Sequence, residues 1–151
     1  MERIPLAKPY WDEECERAAI DALSSGRWVK GPQAKQFGEE FAEWCGAISA
    51  VPCQSGSAAL WAAMRILDIG PGDEVIVPGM TFIATATSVS LVGATPVFAD
   101  IEEDYWCICP DDVEAKITDR TKAVIGVHIF GQTFSPRLKE ICQRHNIALV
   151  E

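Results

Sequence analysis

The sequence predicts an α/β fold, a three-layer αβα sandwich in which helices cover both faces of a parallel sheet. Two observations predict it. Short apolar segments rich in β-branched residues alternate with helical patterns from residue 47 onward, and this alternation is typical of parallel sheets. The sequence also lacks internal repeats and any apolar run near the ~20 residues that cross a bilayer, so neither a solenoid nor a membrane-spanning helix is predicted.

Residues 1–46 predict an amino-terminal helical arm. Acidic residues in the first turn and a glycine after the last turn predict a helix from Asp12 to Ser25 that ends at Gly26. Residues 27–32 form a loop, and Pro32 stands where a second helix can begin. Three aromatic residues of that helix share one face because they recur four and three residues apart: Phe37, Phe41 and Trp44. We expect these rings to pack in a core or at an interface.

Residues 47–151 predict the first part of a larger α/β domain. Apolar segments predict strands over residues 47–53, 74–77, 96–99, 123–127 and 148–150. Helical patterns predict helices over residues 57–67, 82–92, 110–117 and 136–145, and two glycines mark a turn over 69–73. Ligands of such sheets bind at the carboxyl ends of strands, which directs attention to the loops after residues 53, 78 and 128.

Composition excludes several classes of function. The chain carries 13 Lys and Arg against 22 Asp and Glu, a net charge of −9, which disfavours nucleic acid and anionic membranes as partners. The start of the chain lacks the pattern of a signal peptide, so a cytoplasmic location is expected. The six cysteines make no Cys-x-x-Cys pair and no metal-ligand cluster. Reduced, mostly buried thiols and no metal site are therefore expected.

The first candidate site is the segment from Gln54 to Leu60, between a predicted strand and a helix start. Gly56 lets the backbone approach a ligand closely, and the amides of Ser57 and Ala58 lie at a helix start, where the helix dipole favours an anion. Together with the Ser57 hydroxyl they could hold a phosphate group. An ordinary serine N-cap explains the same residues, so both interpretations stay open.

Two further strand ends carry candidate residues. Phe82 follows a predicted strand and could lie over a flat cofactor, although an isolated phenylalanine more often closes the core. His128 ends another predicted strand, where a histidine is more often a structural hydrogen-bonding group than a catalytic one. Trp28 and Lys30 lie in the loop before Gly31, where a substrate contact and a purely structural role both remain open.

Taken together and in this order, the segments resemble the DegT/DnrJ/EryC1/StrS family of sugar aminotransferases, a branch of the fold-type I pyridoxal phosphate enzymes. The resemblance covers essentially the whole chain. It is carried by residues 4–9, 26–31, 70–78, 81–86, 93–98, 117–123 and 127–132, and by Ser55-Gly56-Ser57-Ala58-Ala59-Leu60. It implies the large domain of the aspartate aminotransferase-like fold, truncated here, with the remainder of that domain and the small domain absent.

The resemblance also implies a cofactor, pyridoxal 5′-phosphate, and a site for it. The family holds the cofactor phosphate on a Ser-Gly-Thr-Ala turn, which Gly56, Ser57 and Ala58 match, with Ser57 in the threonine position. Phe82 matches the aromatic ring that the family stacks on the pyridine face. In the family, an aspartate pairs with the pyridine nitrogen and a lysine forms the Schiff base with the cofactor. Both positions lie beyond Glu151, and none of the six lysines here matches that lysine. We therefore assign no catalytic residue and expect the 151-residue chain alone to be inactive.

The function implied is transfer of an amino group, from an amino acid such as glutamate, to a nucleotide-linked keto sugar in polysaccharide or antibiotic sugar biosynthesis. Full-length relatives form homodimers, to whose interface the first two helices would contribute. Two alternatives stay open: a pyridoxal phosphate-dependent sugar dehydratase, in which histidine replaces the lysine, and a non-catalytic fragment or regulatory relative. A nicotinamide-binding domain is disfavoured because the sequence lacks Gly-x-Gly-x-x-Gly after its first strand.

Overall fold

The computed structural model describes residues 4, 5 and 7–151. It divides the chain into two compact units, Met1–Pro52 and Cys53–Glu151. The predicted functional division, an arm over residues 1–46 and a cofactor-binding domain from residue 47, stays a prediction.

The first unit contains two helices, α1 (Glu13–Ser24) and α2 (Pro32–Cys45). Asp12 caps α1, because its carboxylate accepts the Cys15 N–H at 2.9 Å. The same carboxylate accepts a hydrogen bond from the Tyr10 hydroxyl at 2.6 Å. The Tyr10 hydrogen bond has the largest effect on the pKa of Asp12, and together with the Cys15 hydrogen bond it lowers that pKa to about 2. Gly26 adopts a φ of 66° after the last turn of α1, as the sequence predicts for a residue that ends a helix.

The aromatic face of α2 differs from its prediction. Phe37, Phe41 and Trp44 contact one another, with ring centroids 5.7 and 5.9 Å apart. They are nevertheless 56%, 44% and 82% exposed, so the expectation that they pack in the core is wrong. No described residue of α1 is buried either. Both helices therefore present apolar side chains to the surface, and interface packing of the rings stays a prediction.

The second unit contains a four-stranded parallel sheet of order β2-β1-β3-β4. Its strands are β1 (Glu74–Pro78), β2 (Thr95–Ala99), β3 (Thr121–Ile125) and β4 (Ala148–Val150). Its helices are α3 (Gly56–Ile66), α4 (Ala84–Leu91), α5 (Pro110–Lys116) and α6 (Arg137–His145), with a 3₁₀ turn over Ile129–Gly131. The predicted parallel α/β fold is confirmed.

Two apolar clusters hold the three layers together. On one face of the sheet, Met64 of α3 and Val89 of α4 pack against Val75 and Val77 of β1, and all four are fully buried. On the other face, Ile76 and Val124 pack against side chains of α5 and α6. Each side chain buried in this way contributes about 1.5–3 kcal/mol relative to exposure. Alternate residues of β1 therefore stabilise opposite layers, as period-2 geometry requires.

Several predicted element bounds are wrong. Residues 47–53 form no strand, β3 ends at Ile125 and α4 begins at Ala84 rather than at Phe82. An apolar sequence alone does not make a strand, because strand formation also depends on pairing with residues distant in sequence. Thiol burial is also only partly as expected, since only Cys107 and Cys142 are buried. None of the described helices is both long and apolar enough to span a bilayer.

One buried carboxylate stabilises the amino edge of the sheet, where its parallel strands begin. Glu74, at the start of β1, accepts the Thr118 hydroxyl at 2.6 Å and the Arg120 Nε–H at 2.9 Å, and it also pairs with a terminal guanidinium nitrogen of Arg120. The Thr118 hydrogen bond, together with Arg120, holds the pKa of Glu74 below its ordinary value. Glu74 thus ties β1 to the loop that leads into β3.

Because the pKa of Glu74 is lower in the folded chain than in the unfolded one, its contribution to stability is fully present above about pH 4.3. That contribution disappears as the pH falls through the folded pKa. We expect Glu74→Gln to lower the urea midpoint at pH 7, and we expect the deficit to shrink below pH 4. Circular dichroism in urea measures both, with the exposed Glu103→Gln as control. An equal deficit at pH 7 and pH 3 would contradict the assignment.

Candidate functional site

The starts of α3 and α4 lie at the same edge of the sheet. A turn over residues 67–73 connects the end of α3 to the amino end of β1. The end of α4 reaches that turn, because a Cβ placed on Gly93 would lie 3.0 Å from Pro71 Cγ. Both helices therefore end near the amino edge. Eleven helical residues span ~16 Å, about the length of a five-residue strand, so α3 begins beside the carboxyl edge, where α4 also begins after β1.

The start of α3 offers hydrogen-bond donors to solvent. Ser55 is the N-cap, and its hydroxyl accepts the Ala58 N–H at 3.2 Å. The N–H groups of Gly56 and Ser57 have no acceptor among the described residues, and the Ser57 hydroxyl has no hydrogen bond there either. Ser57 is exposed. Two amides and one hydroxyl at a helix start form an arrangement that can bind an anion.

This geometry revises the predicted phosphate site in two ways. The ordinary serine N-cap is present at Ser55, so the phosphate interpretation rests on the groups that this cap leaves unused. The Ala58 amide is engaged by Ser55, so the expectation that it is free is wrong for this structure. A Cβ placed on Gly56 would meet no heavy atom within 4 Å. The protein itself therefore leaves space at Gly56, which fits a residue chosen for close approach of a ligand.

Phe82 lies in the loop between β1 and α4, at the same carboxyl edge. Its ring is 73% exposed, so the interpretation that it closes the core is wrong. The backbone around it is fixed, because its carbonyl accepts the Thr85 N–H at 3.0 Å and the Thr81 and Thr85 hydroxyls lie 3.0 Å apart. An exposed ring on an anchored turn can cover a planar ligand.

His128 belongs to a hydrogen-bonded cluster beyond the end of β3. Its ring stacks on Phe134 at 4.4 Å with an interplanar angle of 13°. The Phe134 N–H donates to Nδ1 at 3.3 Å, and Nε2 lies 3.3 Å from Oε2 of Glu151. Since Nδ1 accepts, the proton of the neutral ring lies on Nε2 and is donated to Glu151. Both ring nitrogens are used, which favours the structural interpretation of His128.

The sequence analysis missed an aromatic pair at the same sheet edge. Trp106 and Phe130 lie edge to face with ring centroids 6.3 Å apart, and both have positive φ, 61° and 53°. Such backbone is uncommon for large residues. The pair lines a cavity of about 310 Å³ with Asp104 and Gln132. The only sequence signal is Gly131 beside Phe130, which indicates a tight turn but does not predict the contact.

No group of three or more His, Cys, Asp or Glu residues in the described part of the chain could hold a metal ion. The site therefore consists of an anion-binding helix start and an exposed ring at one sheet edge, and neither group is nucleophilic. This arrangement can hold and orient a flat, phosphorylated ligand.

The chain was compared with known proteins. The model of the DegT/DnrJ/EryC1/StrS aminotransferase family matches residues 9–151. The L-glutamine:2-deoxy-scyllo-inosose aminotransferase of Streptomyces kanamyceticus is 42% identical, over 95% of this chain and 36% of its own length. The dTDP-3-amino-3,4,6-trideoxy-alpha-D-glucose transaminase of Streptomyces venezuelae is 44% identical, over 99% of this chain and 41% of its own length.

A solved structure shares the fold. The PLP form of Streptococcus pneumoniae Spr1654 is 33% identical and superposes with a TM-score of 0.90, over 99% of this chain and 39% of that one. The chain therefore spans about two fifths of the length of the relatives it matches.

The contact between Gly126 and Phe134 gives a test of how the His128 cluster is built. A Cβ on Gly126 would lie 2.8 Å from Cδ1 of Phe134, so Gly126→Ala must displace the ring on which His128 stacks. We expect a loss of about 1–3 kcal/mol in the free energy of unfolding, measured by urea titration. The control is Gly56→Ala, which meets open space and should cost little. Equal effects of the two substitutions would refute this account.

Proposed function

Because the chain belongs to the DegT/DnrJ/EryC1/StrS aminotransferase family, we propose that its protein transfers an amino group from an amino acid to a nucleotide-linked keto sugar, with pyridoxal 5′-phosphate as cofactor. Glutamate is the amino donor proposed for the first assays. A role in polysaccharide or antibiotic sugar biosynthesis and a cytoplasmic location belong to the same proposal. The exposed thiol of Cys45 fits a reducing compartment.

The observation that carries the proposal is the unused donor set at the start of α3. The N–H groups of Gly56 and Ser57 and the Ser57 hydroxyl converge where the helix dipole is positive. A phosphate monoester accepts hydrogen bonds on three oxygens and carries close to two charges. The donors and the ligand are thus complementary in number and in sign. Ala58 joins the site through its place in the same turn, with its amide fixing the Ser55 cap.

In this proposal the residues of this chain position the cofactor, and the catalytic acid, base and nucleophile belong to other parts of the protein. Pyridoxal phosphate, when bound, supplies an electron sink for the bond changes at the substrate carbon. Gly56 and Ser57 hold its phosphate end, which fixes the distance of the ring from α3. Phe82 covers one face of the ring and keeps water from it. We assign no catalytic acid, base or nucleophile to residues 1–151, and none of the six lysines is proposed as the Schiff-base lysine.

Ser57 provides the most direct test. Ser57→Ala removes one hydrogen bond to a charged group, worth about 1.5 kcal/mol or more, so the Kd for pyridoxal phosphate should rise about 10-fold. Ser57→Thr keeps the hydroxyl and should bind normally. Pyridoxal, which lacks the phosphate, should bind all three proteins equally. Fluorescence titration measures these constants, and Ser49→Ala is the control. An unchanged Kd for Ser57→Ala would remove Ser57 from the site.

Phe82 and Ile83 offer a matched pair, because they are neighbours and are 73% and 67% exposed. Phe82→Ala removes ring stacking worth about 0.5–1.5 kcal/mol, so it should weaken pyridoxal phosphate binding 2- to 12-fold. Phe82→Tyr keeps the ring and should bind within 2-fold of the unmodified protein. Ile83→Ala removes an equally exposed side chain without a ring and should change little. If Ile83→Ala weakened binding as much as Phe82→Ala, the stacking role would be wrong.

A homodimer is also part of the proposal, with the rings of Phe37, Phe41 and Trp44 at its interface. A continuous patch of exposed aromatic side chains is unfavourable in water for a monomer, and such patches are typical of the cores of protein–protein interfaces. Trp44→Glu should shift the protein to monomer in sedimentation experiments, because it would place two carboxylates within a symmetric contact. The control is Leu91→Glu, which changes another exposed apolar residue. Dimers of unchanged strength in Trp44→Glu would exclude this face.

A further inference from the structure

We propose that the loop between α1 and α2 binds the nucleoside diphosphate part of the substrate. In this assignment the Trp28 indole stacks on the base, and Arg27 and Lys30 pair with the diphosphate. The presence of such a substrate rests on the proposed function, whereas the binding itself involves neither the cofactor nor the residues of the second unit. The loop can therefore be tested independently of amino transfer.

The charge pattern of the sequence singles out this loop. A chain with a net charge of −9 repels a diphosphate unless cations are concentrated locally. Arg27 and Lys30 are the only cations of the sequence with no Asp or Glu within five residues on either side. No ion pair of either side chain occurs among the described residues. Their charge is consequently uncompensated and directed to solvent.

Trp28 supplies an anchored aromatic surface beside these cations. Its indole N–H donates to the Leu23 carbonyl at 2.9 Å, which orients the ring against the end of α1. The side chain remains 76% exposed, so a large part of its surface is uncovered although its polar atom is satisfied. An indole in this state can stack on a base without further reorganisation.

The backbone holds the three side chains around one cavity. Lys30 has a φ of 52°, a conformation that is uncommon outside glycine and that clusters at ligand sites. A Cβ on the next residue, Gly31, would lie 2.7 Å from the Arg27 carbonyl oxygen, so the loop requires glycine there to close. The pocket between these side chains is open to solvent and has a volume of about 300 Å³. It is lined by Leu23, Arg27, Trp28, Lys30, Gly31 and Gln33, among others.

These features select a small anionic ligand with a flat ring. Two cations match a diphosphate, whereas a nucleic acid would require a basic surface that the acidic chain lacks. No carboxylate lines the cavity, which favours a ligand whose charge is negative. Stacking on an indole tolerates every base, so nucleotides with different bases are suitable probes.

The test is calorimetric titration of the chain with UDP, dTDP and GDP, in the absence of cofactor and amino donor. At least one nucleotide should bind the unmodified protein. Trp28→Ala should lower the affinity for that nucleotide by about 5-fold or more, and Trp28→Phe should retain most of the affinity. The double variant Arg27→Ala/Lys30→Ala should weaken it about 10-fold at low salt, with a smaller effect at high salt. The corresponding nucleoside should lose affinity only in Trp28→Ala.

The controls are Trp11→Ala and Lys139→Ala, which remove an exposed indole and an exposed cation elsewhere and should bind nucleotide normally. No binding of any of the three nucleotides at millimolar concentration would overturn the proposal, and so would an affinity equal to that of the unmodified protein in both Trp28→Ala and Arg27→Ala/Lys30→Ala. Failure of pyridoxal phosphate to bind at Ser57, with nucleotide binding intact, would instead count against the proposed function alone.

Discussion

The parallel packing of α3 and α4 on one face of the sheet is the constraint on which the site depends. Met64 and Val89 are fully buried against β1, and the contact between Gly93 and Pro71 brings the ends of the two helices together. With their ends fixed at the amino edge, the helix starts must open at the carboxyl edge. That single arrangement places the proposed anion-binding turn at Ser57 and the exposed ring of Phe82 at the same edge of the sheet, although 25 residues separate them.

An acidic protein can bind anions when the donors are local and directional. The Gly56 and Ser57 amides carry no net charge, yet the helix dipole and the lack of an acceptor for them among the described residues make them suitable hydrogen-bond donors to a phosphate. Ser55 contributes by capping α3 through the Ala58 amide, which stabilises the helix start and leaves the neighbouring amides to a ligand. Net charge therefore sets solubility and long-range repulsion, while a few oriented groups determine what is bound.

The layers of the second unit could be predicted from the sequence because apolar periodicity reports burial directly. The burial of Val75, Ile76 and Val77 follows from their continuous apolar run. The failures have a different physical origin. Residues 47–53 are as apolar as a strand but do not form one, since strand pairing is not encoded in the local sequence. The exposure of Phe37 and Trp44 could not be predicted either, since the period of a helix face is the same for a core and for an interface.

The candidate site could likewise be predicted only where its features have a local sequence signal. The helix start at Ser57 was predicted because glycine and serine directly before an apolar helical pattern are a local signal, whereas the contact of Trp106 with Phe130 joins two loops distant in sequence. A crystal structure of the protein with pyridoxal phosphate would locate the cofactor directly. We expect the phosphate within hydrogen-bond distance of the Gly56 and Ser57 amides and the Ser57 hydroxyl, with the Phe82 ring lying over the pyridine. A phosphate bound elsewhere, with Ser57 still facing solvent, would contradict this expectation.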